Sequence, residues 1–296
     1  MDQLWQNGMN EKQKKQTIAY GIVGGIIIAA ILLITTIWVS NSARIGTNQA
    51  VNRVSKFYLE ELAGRRAQVV SEELKNNFAY IENSLAILES SDLESQETLR
   101  AFLGKVKKLY GVDKFALVDE NGIVYTEHST ASGLGRYAFL SEELTEPVIS
   151  TVNLYGAKKQ VILAVPVEDI VFQGSRIKVC FIQINIDEML SSLTLQTSDN
   201  ETYCSLYYRN GESLTNSDFG NFKGENNLLS ALSQADINNK FNYEQLEDDF
   251  ENGVSGQISF KYQGYQEDLC YIPIEDTNWM LTILIRDNVI SDQISS

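Results

Sequence analysis

The longest apolar run in the chain lies near its start. Thr17 to Ser40 reads TIAYGIVGGIIIAAILLITTIWVS, about 24 residues without a charge. As a helix it would extend roughly 36 Å, more than the ~30 Å hydrocarbon core of a bilayer. The run predicts a transmembrane helix, with Tyr20 and Trp38 near its ends, where amphipathic rings favour the interface. A cleaved signal peptide is the rival reading. The stretch is too long for an apolar region of about 7–15 residues, and only Ser40 and Ser42 offer a weak cleavage pattern.

After this run apolar residues recur in steps of three and four: Val51, Val54, Tyr58 and Leu62, then Ala67, Val70, Leu74, Phe78, Ile81, Leu85 and Leu88. The spacing predicts a long amphipathic helix over 41–92, interrupted by no proline. Some 50 helical residues would reach roughly 75 Å, so the helix is expected to run beside more than one domain. A coiled-coil stalk is compatible with this near the membrane. A second helix follows, with Leu99, Phe102, Leu103, Val106 and Tyr110 on one face.

The period then falls to two. KFALVDENGIVYTEH reads as strand, Asn121-Gly122 turn, strand. A Gly, Ser and Thr stretch leads to a short helix expected around Ser141 to Val152. QVILAVPVEDI and RIKVCFIQINI supply two more strands, joined near Gly174. The plan then repeats. FALVDENGIVYT at 115–126 has its counterpart in CSLYYRNGESLT at 204–215, Val165-Pro166-Val167-Glu168-Asp169 in Ile272-Pro273-Ile274-Glu275-Asp276, and VCFIQI at 179–184 in MLTILI at 280–285. Matches in the same order predict two tandem copies of one α+β unit, each with about five antiparallel strands. The expected organisation is a tail over 1–16, the membrane helix 17–40, the long helix 41–92, units over 93–190 and 191–287, and a tail over 288–296.

Charge narrows the possible partners. Lys and Arg number 24 against 39 Asp and Glu, a formal net charge of −15, which argues against nucleic acid as a partner. Lys12, Lys14 and Lys15 directly precede the apolar run, while only Arg44 and Arg53 follow it closely. The asymmetry predicts a cytoplasmic N-terminus and an extracytoplasmic bulk in a cell membrane. His128 is the sole histidine, which excludes multi-His metal sites. Cys180, Cys204 and Cys270 sit in apolar, strand-like runs and read as free, buried thiols. The sequence contains no phosphate-binding loop, nucleophile elbow, zinc-protease helix or C-x-x-C pair, so neither catalysis nor a cofactor is expected. Glu247, Asp248, Asp249 and Glu251 lack the spacing of a calcium loop and read as a solvated acidic loop.

A long N-terminal helix followed by two units that carry LVDENGIVYT and GQISFKYQGYQEDLCYIPIEDTNWMLTILI resembles the double Cache (tandem PAS-like) sensor domains of bacterial transmembrane receptors. The resemblance covers about residues 41–287. It implies a ligand-sensing region, dimeric through the stalk helix. Such receptors continue through a second membrane helix into a histidine kinase, a diguanylate cyclase or a chemotaxis domain. NWMLTILI, about eight residues, is too short to span, so the output is expected outside this chain.

The resemblance also implies a small-molecule pocket in the membrane-distal unit, between the concave sheet and the crossover that follows its first hairpin. Candidate ligand-binding residues there are Tyr125, His128, Arg136, Tyr137, Tyr155 and Asp169. An Arg136 guanidinium beside Tyr137 suits a carboxylate, and Asp169 an amine, which makes an anionic ligand one expectation. The rival placement is a surface Arg136 paired with Glu142. Cache domains that bind amino acids resemble one another in a Tyr, Arg, Trp and Asp set. Here Trp occurs only at Trp5, Trp38 and Trp279, so the ligand class stays open. A membrane-anchored structural or adhesion protein, with the units as spacers, is the alternative. A polar pocket in the distal unit would favour sensing, and a solidly apolar one the spacer.

Overall fold

The computed structural model describes residues 2–141, 143–154, 158–186, 189, 202–215, 226–237, 243–262 and 264–286. Helix α1 runs Asp2–Ala86. The chain divides into two compact units, residues 1–56 and 57–296. In the first, Ile31, Leu32, Leu33, Ile34, Ile37, Trp38 and Val39 are all exposed, so the helix there presents apolar side chains on every side. The span expected over Thr17–Ser40 falls partly on residues whose side chains lie outside the description. Among the described residues no helix is long and apolar enough to cross a membrane.

In the second unit α1 buries Leu59, Ala63, Ala67, Val70, Leu74 and Ile81. Toward its start the seam is one residue later than the periodicity suggested. Tyr58 is exposed and Leu62 only half-buried, because a one-residue shift turns the helix face by about 100° and the small Ala63 and Ala67 let the backbone approach the sheets. Helix α2, Gln96–Tyr110, opens with Ser95 accepting from the Thr98 N–H and closes on Gly111 at φ 68°. Its buried face is Leu99, Phe102, Leu103 and Val106, and Tyr110 stacks on Tyr80 at 4.3 Å.

The first sheet contains β1 (Lys114–Asp119), β2 (Ile123–Tyr125), β3 (Thr130–Ser132), β4 (Val148–Leu154), β5 (Lys158–Pro166), β6 (Val171–Phe172) and β7 (Ser175–Asn185). Its order is β3-β2-β1-β7-β5-β4, with β6 paired to β7. The Asn121-Gly122 hairpin forms as expected. Gly122 takes φ 72°, and Asp119 Oδ1 accepts from the Asn121 and Ile123 N–H groups at 2.9 Å each. The helix expected around Ser141–Val152 is absent. Ala138–Leu140 forms one 3-10 turn and Val148–Leu154 is a strand. Pro147 disfavours helix at its predecessor, and the β-branched Val148, Ile149, Thr151 and Val152 suit the pleated surface beside β5.

The second sheet contains β8 (Thr202–Tyr208), β9 (Asp236–Ile237), β10 (Gly256–Tyr262), β11 (Tyr265–Pro273) and β12 (Trp279–Arg286), in the order β8-β12-β11-β10-β9. Short helices α3 (Leu228–Leu232) and α4 (Tyr243–Asn252) accompany it. Gly211 repeats the left-handed turn at φ 82°. Residues 212–215, directly after it, make isolated bridges, Tyr207 with Ser213 and Glu212 with Asn227.

Register makes the internal repeat concrete. Across the first sheet Ala116, Phe181, Ala164 and Val148 form one row. Across the second, Ser205, Thr282, Tyr271 and Gly256 form the equivalent row. Pro166 faces Val179 as Pro273 faces Met280. One face of both sheets joins the buried seam of α1 in a single apolar core that includes Phe115, Leu117, Leu163, Cys180, Leu206, Trp279 and Leu281. Cys204 and Cys270 both lie opposite Ile283, on either side of it. Two strand spacings, about 9.6 Å, exceed the reach of a disulfide, and all three cysteines are free.

Candidate functional site

The face of the first sheet turned away from α1 carries Ala116, Val118, Ile162, Ala164, Val179 and Phe181. The crossover after β2 folds over it. Gly133 sits so close that a Cβ there would meet Val124 at 2.5 Å, and this approach brings Tyr137 and Phe139 down onto Phe181. Ring centroids lie 5.8 Å apart for Tyr137–Phe139, 5.0 Å for Tyr137–Phe181 and 5.6 Å for Phe139–Phe181.

On one side of this aromatic cluster the face turns polar. Strand alternation places Lys114, Gln183, Asn185 and Gln160 on it. Lys114 and Ile162 flank Gln183 in register, and Asn185 faces Gln160. Gln160, Gln183 and Asn185 are all buried. Lys114 Nζ donates to the Tyr137 hydroxyl at 3.0 Å, and Gln160 Nε2 donates to Asp113 Oδ2 at 3.1 Å. That second bond fixes the Gln160 amide so that its carbonyl points elsewhere. Gln160 Oε1 and Gln183 Oε1 are both buried with no hydrogen-bond partner. Each such acceptor costs roughly 1–3 kcal/mol. The pair therefore offers two acceptors to an N–H or O–H donor, beside a lysine that favours an acceptor.

On the other side of the aromatics is a cleft of about 590 Å³, lined by Val118, Glu120, Leu140, Glu143, Glu168 and Lys178 among others. Its Asp119 is already committed, accepting from two turn amides and, at Oδ2, from the Tyr125 hydroxyl at 3.1 Å.

The expected ligand-binding residues scatter. Tyr137 is buried in the aromatic cluster. Arg136 is exposed, its guanidinium carbon 5.6 Å from the Tyr137 ring centre, and does not line the cleft; Glu142 lies outside the described residues. Tyr125 is on the opposite, α1-facing side, edge-on to Phe172 at 5.2 Å. Burial, then its bond to Asp119, raises its pKa. His128 is 85% exposed, 3.5 Å from Glu127. Asp169 is exposed in the tight turn after β5, at φ 62°. Tyr155 lies outside the described residues. Reading the crossover alone identified none of Lys114, Gln160 and Gln183. Their signal lies in the strands: Gln183 and Asn185 share the parity of the apolar Val179 and Phe181, so polar groups must turn inward.

The equivalent face of the second sheet carries a larger apolar cluster, with Ser205, Thr282 and Glu267 buried on the same face. Tyr207, Leu228, Leu232, Leu246, Phe250, Phe260, Leu269, Tyr271, Met280 and Leu284 pack into one cluster. Asp249, expected in a solvated acidic loop, is instead a buried residue of α4. Its carboxylate accepts from the Tyr271 hydroxyl at 2.6 Å and from Gln245 at 2.8 Å, and those bonds permit its burial.

Solved structures share this fold. The ligand-binding domain of the Pseudomonas aeruginosa amino acid chemoreceptor PctB, in complex with L-Arg, matches with a TM-score of 0.54 and 15% identity, over 80% of this chain and 90% of that one. The sensory domain of the Campylobacter jejuni chemoreceptor Tlp3, with isoleucine bound, matches at 0.53 and 11% identity over 82% and 97%. The extracellular domain of soHK1S-Z6, described as a histidine kinase, matches at 0.57 and 11% over 83% and 99%. No family model and no curated protein matches the chain. The fold is that of the Cache-type sensory domains of chemoreceptors and histidine kinases.

Proposed function

We propose that this chain is the extracytoplasmic sensor of a membrane receptor, and that it binds a small polar molecule on the crossover face of its first sheet. The observation that carries the reading is the pair of buried, unpartnered carbonyls of Gln160 and Gln183, one strand register from the Lys114 ammonium on the same face. A spacer domain gains nothing from such groups, whereas a binding site retains them at a cost to stability. The ligand carries donors for the two carbonyls and an acceptor for Lys114, which fits amino acids and other small amine-bearing acids better than a simple anion held by Arg136. No catalytic role is assigned to any residue. The uncharged run Thr17–Ser40 and the exposed apolar side chains at its end support anchoring, with the N-terminus cytoplasmic. Two copies associate through the exposed side of α1, where Phe57, Tyr58 and Val69 face solvent. The signal passes through α1 and β12 to a kinase, cyclase or chemotaxis output beyond this chain.

A thermal-shift screen of the full chain against amino acids and small amine-bearing acids tests the binding. A ligand at a hundred times its Kd stabilises by about 2.7 kcal/mol. The expected outcome is a shift for one chemical class that disappears in Gln183→Leu. A shift that survives this substitution removes the ladder from the site.

A further inference from the structure

Gln160 and Gln183 are 8% and 3% exposed, so the ladder is shut from solvent. The cleft of about 590 Å³ stops short of it: Leu134 and Leu140 line that cleft, whereas Lys114, Gln160 and Gln183 do not. Between the two lies the crossover segment 133–140. Its Tyr137 touches both neighbours of Gln183 on this face. The ring centre is 5.0 Å from that of Phe181, two residues earlier on β7. The hydroxyl accepts at 3.0 Å from Lys114, the register partner of Gln183.

Little else ties the segment to the sheet. The Gly133 N–H donates to the Gly122 carbonyl, and beyond it the backbone bonds turn inward. Arg136 and Tyr137 N–H groups donate to the Gly133 carbonyl and the Leu140 N–H to the Tyr137 carbonyl, at 3.1 Å each. Gly135, at φ 80°, makes a left-handed turn inside the segment. Among the described residues, the Lys114–Tyr137 bond is the one side-chain hydrogen bond from 133–140 to the sheet.

We propose that segment 133–140 is a lid over the ligand site and that the Lys114–Tyr137 bond is its latch. Lifting the segment takes Tyr137 off Phe181, joins the cleft to the ladder and breaks this bond, while the sheet keeps its own. A ligand acceptor arriving at Lys114 takes the place of the phenol on the ammonium, so closure over the ligand restores the bond lost on opening. The lid presupposes the ladder as the ligand site, yet its opening is measurable without a ligand, so either can fail alone.

Gln183→Cys places a thiol beneath the lid, on the strand that carries Cys180 buried on its opposite face. Labelling of the full chain with 2-aminoethyl methanethiosulfonate, resolved by peptide mass spectrometry, then reads both faces of β7. Adding Tyr137→Phe, which keeps the ring and removes the phenol, should speed labelling at position 183 by about tenfold and leave Cys180 unchanged. Lys114→Met, which removes the donor instead, should do the same. Where Gln183→Cys fails to fold, hydrogen exchange of Tyr137→Phe alone decides: amides of 136–140 should exchange faster, and those of 179–184 as in the parent. The proposal is overturned if neither variant labels faster at position 183, or if exchange over 136–140 is unchanged. It is equally overturned if labelling of Cys180 rises in parallel, which would make the bond a general support of the fold.

Discussion

Four strands of each sheet match in register, β1, β7, β5 and β4 with β8, β12, β11 and β10, yet their rows carry different side chains. Where the first sheet sets Ala116, Phe181 and Ala164 side by side, the second sets Ser205, Thr282 and Tyr271. Tyr271 lies over Gly256, where a Cβ would meet its hydroxyl at 2.3 Å, and its hydroxyl donates to the buried Asp249. A large ring therefore occupies the space under α4. In the first sheet the neighbouring row instead holds Lys114 and Gln183, against Tyr203 and Leu284 in the second. The second copy fills these rows with larger side chains, Tyr203, Leu284 and Tyr271, although it too buries Ser205, Thr282 and Glu267 on this face. Under the proposed function the first copy serves binding and the second serves packing.

The largest effect should come from emptying the filled copy. Tyr271→Ala, which installs the residue of the first sheet, should destabilise by about 3–5 kcal/mol through the lost ring and cavity. It also leaves Asp249 without its hydroxyl donor. Urea unfolding measures it. A loss under about 1 kcal/mol would mean that the second face is not a packed plug. The reverse exchange, Ala164→Tyr, should cost less, about 1–3 kcal/mol by overpacking, and should abolish ligand stabilisation in the thermal-shift screen. Undiminished stabilisation would move the site elsewhere.

A smaller effect lies at the entry to the crossover. Lys107 of α2 pairs with Glu127 at 2.5 Å. Burial alone would raise the Glu127 pKa, but its bond to the Lys107 ammonium outweighs this and holds the carboxyl below its ordinary value. Its contribution is therefore present above the ordinary carboxylate range and is lost as pH falls through the lowered value. Lys107→Ala should cost about 0.2–1 kcal/mol at neutral pH and nothing in strong acid. An equal cost at both extremes would mark the lysine as a packing residue instead.

The tandem organisation was legible because prolines and Asn-Gly turns punctuate both copies at matching places. Strand parity then fixed which residues share a face, down to Cys204 and Cys270 on either side of Ile283. The crossover was not legible. Ser141–Val152 reads as a helix by composition but forms β4, because pairing with β5 outweighs local preference. Arg136 and Asp169 look like ligand residues by chemical type, yet the turns that hold them face outward, Asp169 at a positive φ. The acidic run misled in the opposite direction. Asp249 is buried with the help of Gln245 on its own helix and of Tyr271, which reaches it from 22 positions later.

The central claim is that the polar ladder exists for binding and weakens the empty fold. Gln183→Leu tests it most directly, since it installs the apolar residue found at the equivalent position, Leu284. Removing a buried carbonyl that has no partner should leave the ligand-free protein equally stable or more stable, by up to about 1 kcal/mol, or roughly 2–4 °C in Tm. A ligand-free variant destabilised by more than about 1 kcal/mol in the same scan would show that Gln183 is a structural residue, and would contradict the account.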